Sequence, residues 1–223
     1  MHLFAAITPS AIYDGLLSYV CLIIVLTFHE YAHAWTASKC GDDTARLLGR
    51  VSLNPVVHME VVGTVVLPLL MIFLSAANSQ LANFIIGWGK PVPVNPYKLR
   101  RRRTDDTLVA LAGPAMNLLL AFAAVVLARG FTALGVEGGV EVAIRLTIIS
   151  LVLCFFNLLP IPPLDGSHVL KNLIGMSDAT YLRLGQFGFI LVILVLQVPP
   201  VRWLLGFMTQ ITFVSMGRAV GLV

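Results

Sequence analysis

The chain has 223 residues, of which 58% are hydrophobic and 12% charged. Soluble domains carry about 25% charged residues, so the composition excludes that class and points to a polytopic membrane protein. The net charge of +4 owes much to one run, Lys98 and Arg100–Arg103, which beside apolar spans reads as a loop facing anionic lipid and not as a nucleic-acid site.

Along the chain, no Lys or Arg precedes Lys39, and no small-residue cleavage site follows a short apolar core, so the start does not read as a removable signal. A first apolar span covers Ile12 to Ser38. A second stretch, Val61 to Ala77, is interrupted by Gly63 and Pro68, and the Pro- and Gly-rich "IIGWGKPVPVNPYKLRRRR" that follows is not helical. Further spans cover Leu108–Leu127 and Val140–Leu159. Glu141 and Arg145, four apart, form a pair at the interface. Leu184–Val198 and Trp203–Met216, split by Pro199-Pro200, read as a tight C-terminal hairpin. Cys21, Cys40 and Cys154 have no metal-like spacing and imply no disulfide framework.

Four full crossings up to Leu159 would put the basic loops after Lys39 and Lys98 on opposite faces, against the positive-inside tendency. If residues 61–96 enter and return on one side, Lys39, Arg46, Arg50 and Arg100–Arg103 share the cytoplasmic face. Lys171, Arg183 and Arg218 then also fall inside, and Arg129, Arg145 and Arg202 outside with the N-terminus. The expected fold is therefore an all-α polytopic membrane protein. It has a three-helix core and a re-entrant segment within residues 1–170, and a helical hairpin at 171–223.

The chemistry concentrates in "HEYAH". Positions four apart on a helix share a face, about 6 Å apart along the axis, so His29 and His33 can grip one cation. Glu30 then lies within reach of a water on it. This is the His-Glu-x-x-His pattern of zinc hydrolases, in which the Glu is general base. The alternative is a pair of histidines packed against other spans and hydrogen-bonded to them. Polar groups inside a membrane span are functional by default, which favours the metal. A catalytic zinc has three protein ligands. The topology makes the first and fourth spans parallel, which brings Asp165 to the matching depth. Asp165-Gly166 also suits a surface turn.

"HEYAH" together with "NLLPIPPLDG" resembles the site-2 protease family of intramembrane zinc metalloproteases. The second stretch fits the family's Asn-x-x-Pro-x-x-x-Leu-Asp-Gly at Asn157, Pro160, Leu164, Asp165 and Gly166. "AGPAMN" supplies Gly-x-x-x-Asn at Gly113 and Asn117. "SLNPVVHMEVVGT" and "GWGKPVPVNP" are similar to elements of the compact branch without a PDZ domain, except that Glu60-Val61 stands where Asp-Pro is expected. The resemblance implies one Zn2+ on His29, His33 and Asp165, with Glu30 activating the water. It implies that Asn117 and Asn157 lie near the site and hydrogen-bond a substrate backbone or a developing oxyanion. An interhelical hydrogen bond is the alternative for Asn117. His58 is either a pocket residue near the metal or an interfacial histidine.

The expected activity is hydrolysis of peptide bonds in or near transmembrane segments of membrane proteins. The partners are a membrane-protein substrate and the lipid bilayer, with no nucleic acid. The expected location is the cell membrane, with the active site toward the cytoplasm. A divalent-metal transporter is the main alternative, but such a site needs no base like Glu30 beside its open position, and no second carboxylate sits mid-span. An inactive membrane scaffold is the other, which the intact His29, Glu30, His33 and Asp165 set argues against.

Overall fold

A computed structural model describes residues 9–76 and 88–222, and among these every regular element is helical. Three helices are long and apolar enough to cross a bilayer: α1 (Pro9–Lys39), α4 (Arg102–Ala133) and α5 (Glu137–Asn157). Between α1 and α4 lie the short α2 (Thr44–Leu47) and α3 (Leu67–Ala76).

The buried stripe of α1 runs Cys21, Val25, His29 and His33, steps of four that keep one face inward. Tyr13, Leu16, Val20 and Ile24 on the opposite face are exposed, as a lipid-facing surface requires. The inward face of α4 is small: Ala110, Gly113, Asn117, Ala121, Ala124 and Ala128. Small residues let helix backbones approach closely in a membrane. α5 ties into this face by hydroxyls. Ser150 Oγ donates to the Asn117 carbonyl at 2.8 Å, and Thr147 Oγ1, bonded within its own helix to the Ala143 carbonyl at 2.8 Å, also reaches the Ala121 carbonyl of α4 at 3.5 Å.

α1 and α5 run parallel, as expected. Near their N-termini, Arg145 of α5 donates to the Asp14 carboxylate of α1 at 2.8 Å and to Glu141 at 3.1 Å. Toward the other end, Asp165, just beyond the end of α5, meets His29 and His33 in the C-terminal half of α1. The polypeptide after α5 is non-helical over its prolines and resumes as α6 (Asp165–Leu173), so the division expected at 170/171 falls inside a helix. α7 (Asp178–Gly185) and α8 (Gly188–Leu196) follow, bent by 62°, and then α9 (Pro199–Val220).

The two ends of the 61–96 stretch lie side by side. Trp88 N–H donates to the Gly63 carbonyl at 3.1 Å, Thr64 Oγ1 to the Trp88 carbonyl at 2.8 Å and Lys90 N–H to the His58 carbonyl at 2.9 Å. Expectations for residues 77–87 lie outside the described residues. Glu60 stands where the Asp is expected. Its carboxylate accepts from Gly63 N–H at 2.6 Å and caps the helical turns that begin at Val61. The basic loops are knitted together outside the spans. Asp42 accepts from Asn95 N–H at 2.6 Å, and Lys98 donates to Asp43 at 2.6 Å, holding the Asp43 carboxyl below the usual carboxylate range.

One expectation is corrected. Gly221, just past α9, lies against the Arg129 side chain. The last turn of α9, with Arg218, is therefore at the Arg129 end, and Arg202 at the opposite one. Pro199 and Pro200 open α9 at positions where proline costs no hydrogen bond.

Candidate active site

α1 delivers two imidazoles and a carboxylate within one and a quarter turns, and α6 delivers the third metal-type donor. His29 Nε2 stands 3.3 Å from one Asp165 oxygen and His33 Nε2 3.4 Å from the other, with the two Nε2 atoms 3.0 Å apart. One donor atom from each of the three residues lies within 4.8 Å of the others. Asp165 Oδ2 is buried and takes no hydrogen bond.

The backbone makes room for this cluster at two glycines. A Cβ on Gly113 would lie 2.7 Å from His29 Nε2 and closer still to His33 Nε2. A Cβ on Gly166 would strike the Leu158 carbonyl, so the Asp-Gly pair lets α6 start hard against the end of α5. His33 is oriented from outside. Its Nδ1 sits 2.7 Å from the Val109 carbonyl oxygen, which can only accept, so Nδ1 carries the proton and Nε2 offers its lone pair.

Glu30 is buried, and its Oε2 accepts from Val92 N–H at 3.1 Å. The extended segment around Val92 is anchored by Arg50, which donates to the Lys90 carbonyl at 2.6 Å. His29, Glu30, His33 and Asp165 open onto a cavity of about 720 Å³, walled by apolar side chains such as Leu26, Phe156 and Phe189.

The other expected residues separate. Asn157 lies on the cavity wall, with Nδ2 donating to the Leu153 carbonyl at 3.0 Å. Asn117 is fully buried, is not on the wall, and has Nδ2 3.0 Å from His29 Nδ1. His58 is buried away from the cavity, with Nε2 2.7 Å from the Ser52 carbonyl oxygen. Sequence reasoning did not find Asp106. This buried carboxylate of α4 accepts from Asn172 at 2.8 Å and faces His168 at 3.3 Å, which fastens α6 beside the site. Its only signal was a carboxylate pair, Asp105-Asp106, following a basic run.

Comparison with known proteins settles the class. The chain matches Peptidase family M50 over residues 17–144 and 137–196. It is 38% identical over 189 residues to a Bacillus subtilis protein named "Putative zinc metalloprotease YwhC", covering 81% of this chain and 80% of that one. It is 33% identical over 200 residues to a Mycolicibacterium smegmatis protein of the same description named Rip2, covering 84% and 72%. The Mycobacterium tuberculosis H37Rv Rip2 is 30% identical over 189 residues, covering 82% and 68%. The chain belongs to peptidase family M50. No solved structure matches it significantly. The resemblance to site-2 proteases is borne out, and with it an intramembrane zinc metalloprotease in place of a transporter. The residues of this M50 chain fit zinc. Two imidazole nitrogens and a carboxylate converge in a buried site, as in tetrahedral zinc centres with one open position.

Proposed function

We propose that this M50 peptidase cuts membrane proteins within or next to a transmembrane helix, with His29, His33 and Asp165 holding zinc and Glu30 as general base. The observation that supports it is the convergence of these four side chains on one largely apolar cavity inside the helical bundle. When bound, zinc supplies Lewis acidity, which acidifies water and polarises a peptide carbonyl. Glu30 takes the proton of the attacking water and gives it to the leaving amine. With Oε2 held by Val92 N–H, Oε1 remains for that transfer. A helical substrate hides its peptide bonds in its own hydrogen bonds, so it must unwind before attack. The unwound strand would pair with the extended 88–92 segment, and Asn157 on the cavity wall would hydrogen-bond its backbone.

We further propose that residues 61–96 enter and leave the membrane on one side and that the zinc-site end faces the cytoplasm of a cell membrane. Lys39, Arg46, Arg50, Lys98, Arg100–Arg103, Lys171 and Arg183 gather at that end. Arg129, Arg145 and Arg218 sit at the other, the same number as the sequence reading placed there, with Arg218 exchanged for Arg202.

The test combines metal content with cleavage. Wild type should carry about one zinc per chain, and a His29→Ala, Asp165→Ala double variant should lose it. Glu30→Gln cannot take up the proton but leaves the ligands intact. It should keep its zinc while cleavage of a co-reconstituted transmembrane substrate falls by roughly two to four orders of magnitude. Full zinc in the double variant, or wild-type cleavage by Glu30→Gln, overturns the assignment.

A further inference from the structure

We propose that Asn117 is a positioning residue for the metal site: its amide oxygen accepts the Nδ1 proton of His29 and so holds the Nε2 lone pair toward Asp165. This rests on His29 being a ligand, as read above. The observations are three. Asn117 is wholly buried behind His29 and off the cavity wall, so it touches no substrate. Its Nδ2 lies 3.0 Å from His29 Nδ1. Its Oδ1 is buried without any hydrogen bond.

A buried amide oxygen left alone is costly, on the order of 1–3 kcal/mol. With Nδ2 toward the ring, His29 Nδ1 must be the acceptor, and the proton then sits on Nε2, where no metal could bind. Metal ligation requires the other tautomer, with the proton on Nδ1. Two donors would then face each other across 3.0 Å. A half-turn of the amide exchanges Oδ1 and Nδ2, gives Nδ1–H its acceptor and gives the orphaned oxygen a partner. The two histidines are thus served differently. The Val109 carbonyl can only accept and fixes one tautomer of His33. Asn117 can serve either tautomer of His29, so its amide turns with the metal state. The Ser150 hydroxyl, donating to the Asn117 backbone carbonyl at 2.8 Å, anchors the helix turn on which this happens.

The test measures zinc affinity by chelator competition on purified full-length protein, alongside kcat and KM on a transmembrane substrate at saturating zinc. Asn117→Leu, of similar volume and without an acceptor, should weaken zinc binding roughly 10- to 100-fold, the usual scale for a ligand's outer partner. Asn117→Asp keeps an acceptor facing Nδ1 and should restore zinc affinity to near wild type. KM should stay unchanged in both. Should Asn117→Leu fail to fold, Asn117→Ala removes the acceptor without adding bulk. Wild-type zinc affinity in the Leu or Ala variant, no rescue by Asp, or a raised KM with zinc retained would each overturn the inference. His29→Ala is the control that separates the two readings. If it holds zinc like wild type, the ligand assignment has failed. If it loses zinc while Asn117→Leu does not, the positioning role alone has failed.

Discussion

Two polar clusters join α1 to other helices, one to α5 and one to α6, about 22 Å apart along α1 at 1.5 Å per residue. At one end the Arg145 guanidinium is surrounded by acceptors: the Asp14 carbonyl at 2.7 Å, Ser18 Oγ at 3.1 Å, and the Asp14 and Glu141 carboxylates. Those carboxylates are open to solvent, and the charges are met. At the other end His29 and His33 are buried and crowded nitrogen to nitrogen, Asp165 is partly buried, and a buried Asp165 oxygen and the Asn117 amide oxygen are left without donors. The first cluster is complete as it stands and fastens two helices. The second is incomplete by the measure of its own hydrogen bonds, as expected of the metal site proposed above. Polarity in a membrane span is thus of two kinds, and unsatisfied buried atoms tell them apart better than residue type does.

Three measurements sharpen or break this contrast. The largest expected difference is all or none. In a chain lacking Cys21, Cys40 and Cys154, Leu134→Cys, exposed between α4 and α5, should react with an impermeant thiol reagent in intact cells. Leu48→Cys and Tyr97→Cys, exposed beside the zinc end, should not. Labelling of Tyr97→Cys alone of the latter two would mean that residues 61–96 cross the membrane fully.

Next in size is Gly113→Ala. Its methyl group would stand where the histidine Nε2 atoms are, so zinc affinity should fall at least about tenfold, comparable to losing an outer partner. The variant should still insert and fold. Unchanged zinc affinity would mean that the histidines are free to move aside, and the cluster would not be the tight site described.

The smallest effect is expected at the completed end. Arg145→Met should cost stability no more than about 1 kcal/mol, since partly exposed ion pairs contribute little. Cleavage should stay within about twofold of wild type. A loss of zinc in this variant would show that the two ends are coupled, and the separation drawn between them would fail.

Much of the zinc end was legible in the sequence because it is written in side-chain identity and period. His29 and His33 fall four apart on a helix that apolar content predicts, and Asp165 follows from parallel spans. What escaped is of another sort. The Val109 carbonyl and the Val92 amide act through backbone groups that every residue possesses, so no residue name marks them. Asn117 was expected near the site, but not that it would be sealed behind His29 and off the cavity wall. His58 was a candidate by type; it is buried off the cavity wall, with Nε2 on the Ser52 carbonyl and Nδ1 without a partner. Arg218 was expected at the end opposite Arg129, whereas Gly221 just after α9 lies against the Arg129 side chain, and hydropathy carries no sign of the 62° bend between α7 and α8 that precedes it.

The amide that holds Glu30 lies between two prolines. Pro91 and Pro93 have no backbone hydrogen to offer, so Val92 carries the sole donor of the triplet, and that donor is on the Glu30 carboxylate. A slip of the segment by one residue in either direction would set a proline against Glu30 and leave the carboxylate without a partner. The triplet therefore works as a key with a single tooth: alignment of a loop some sixty residues downstream in the chain is checked, atom against atom, at the group expected to move the proton.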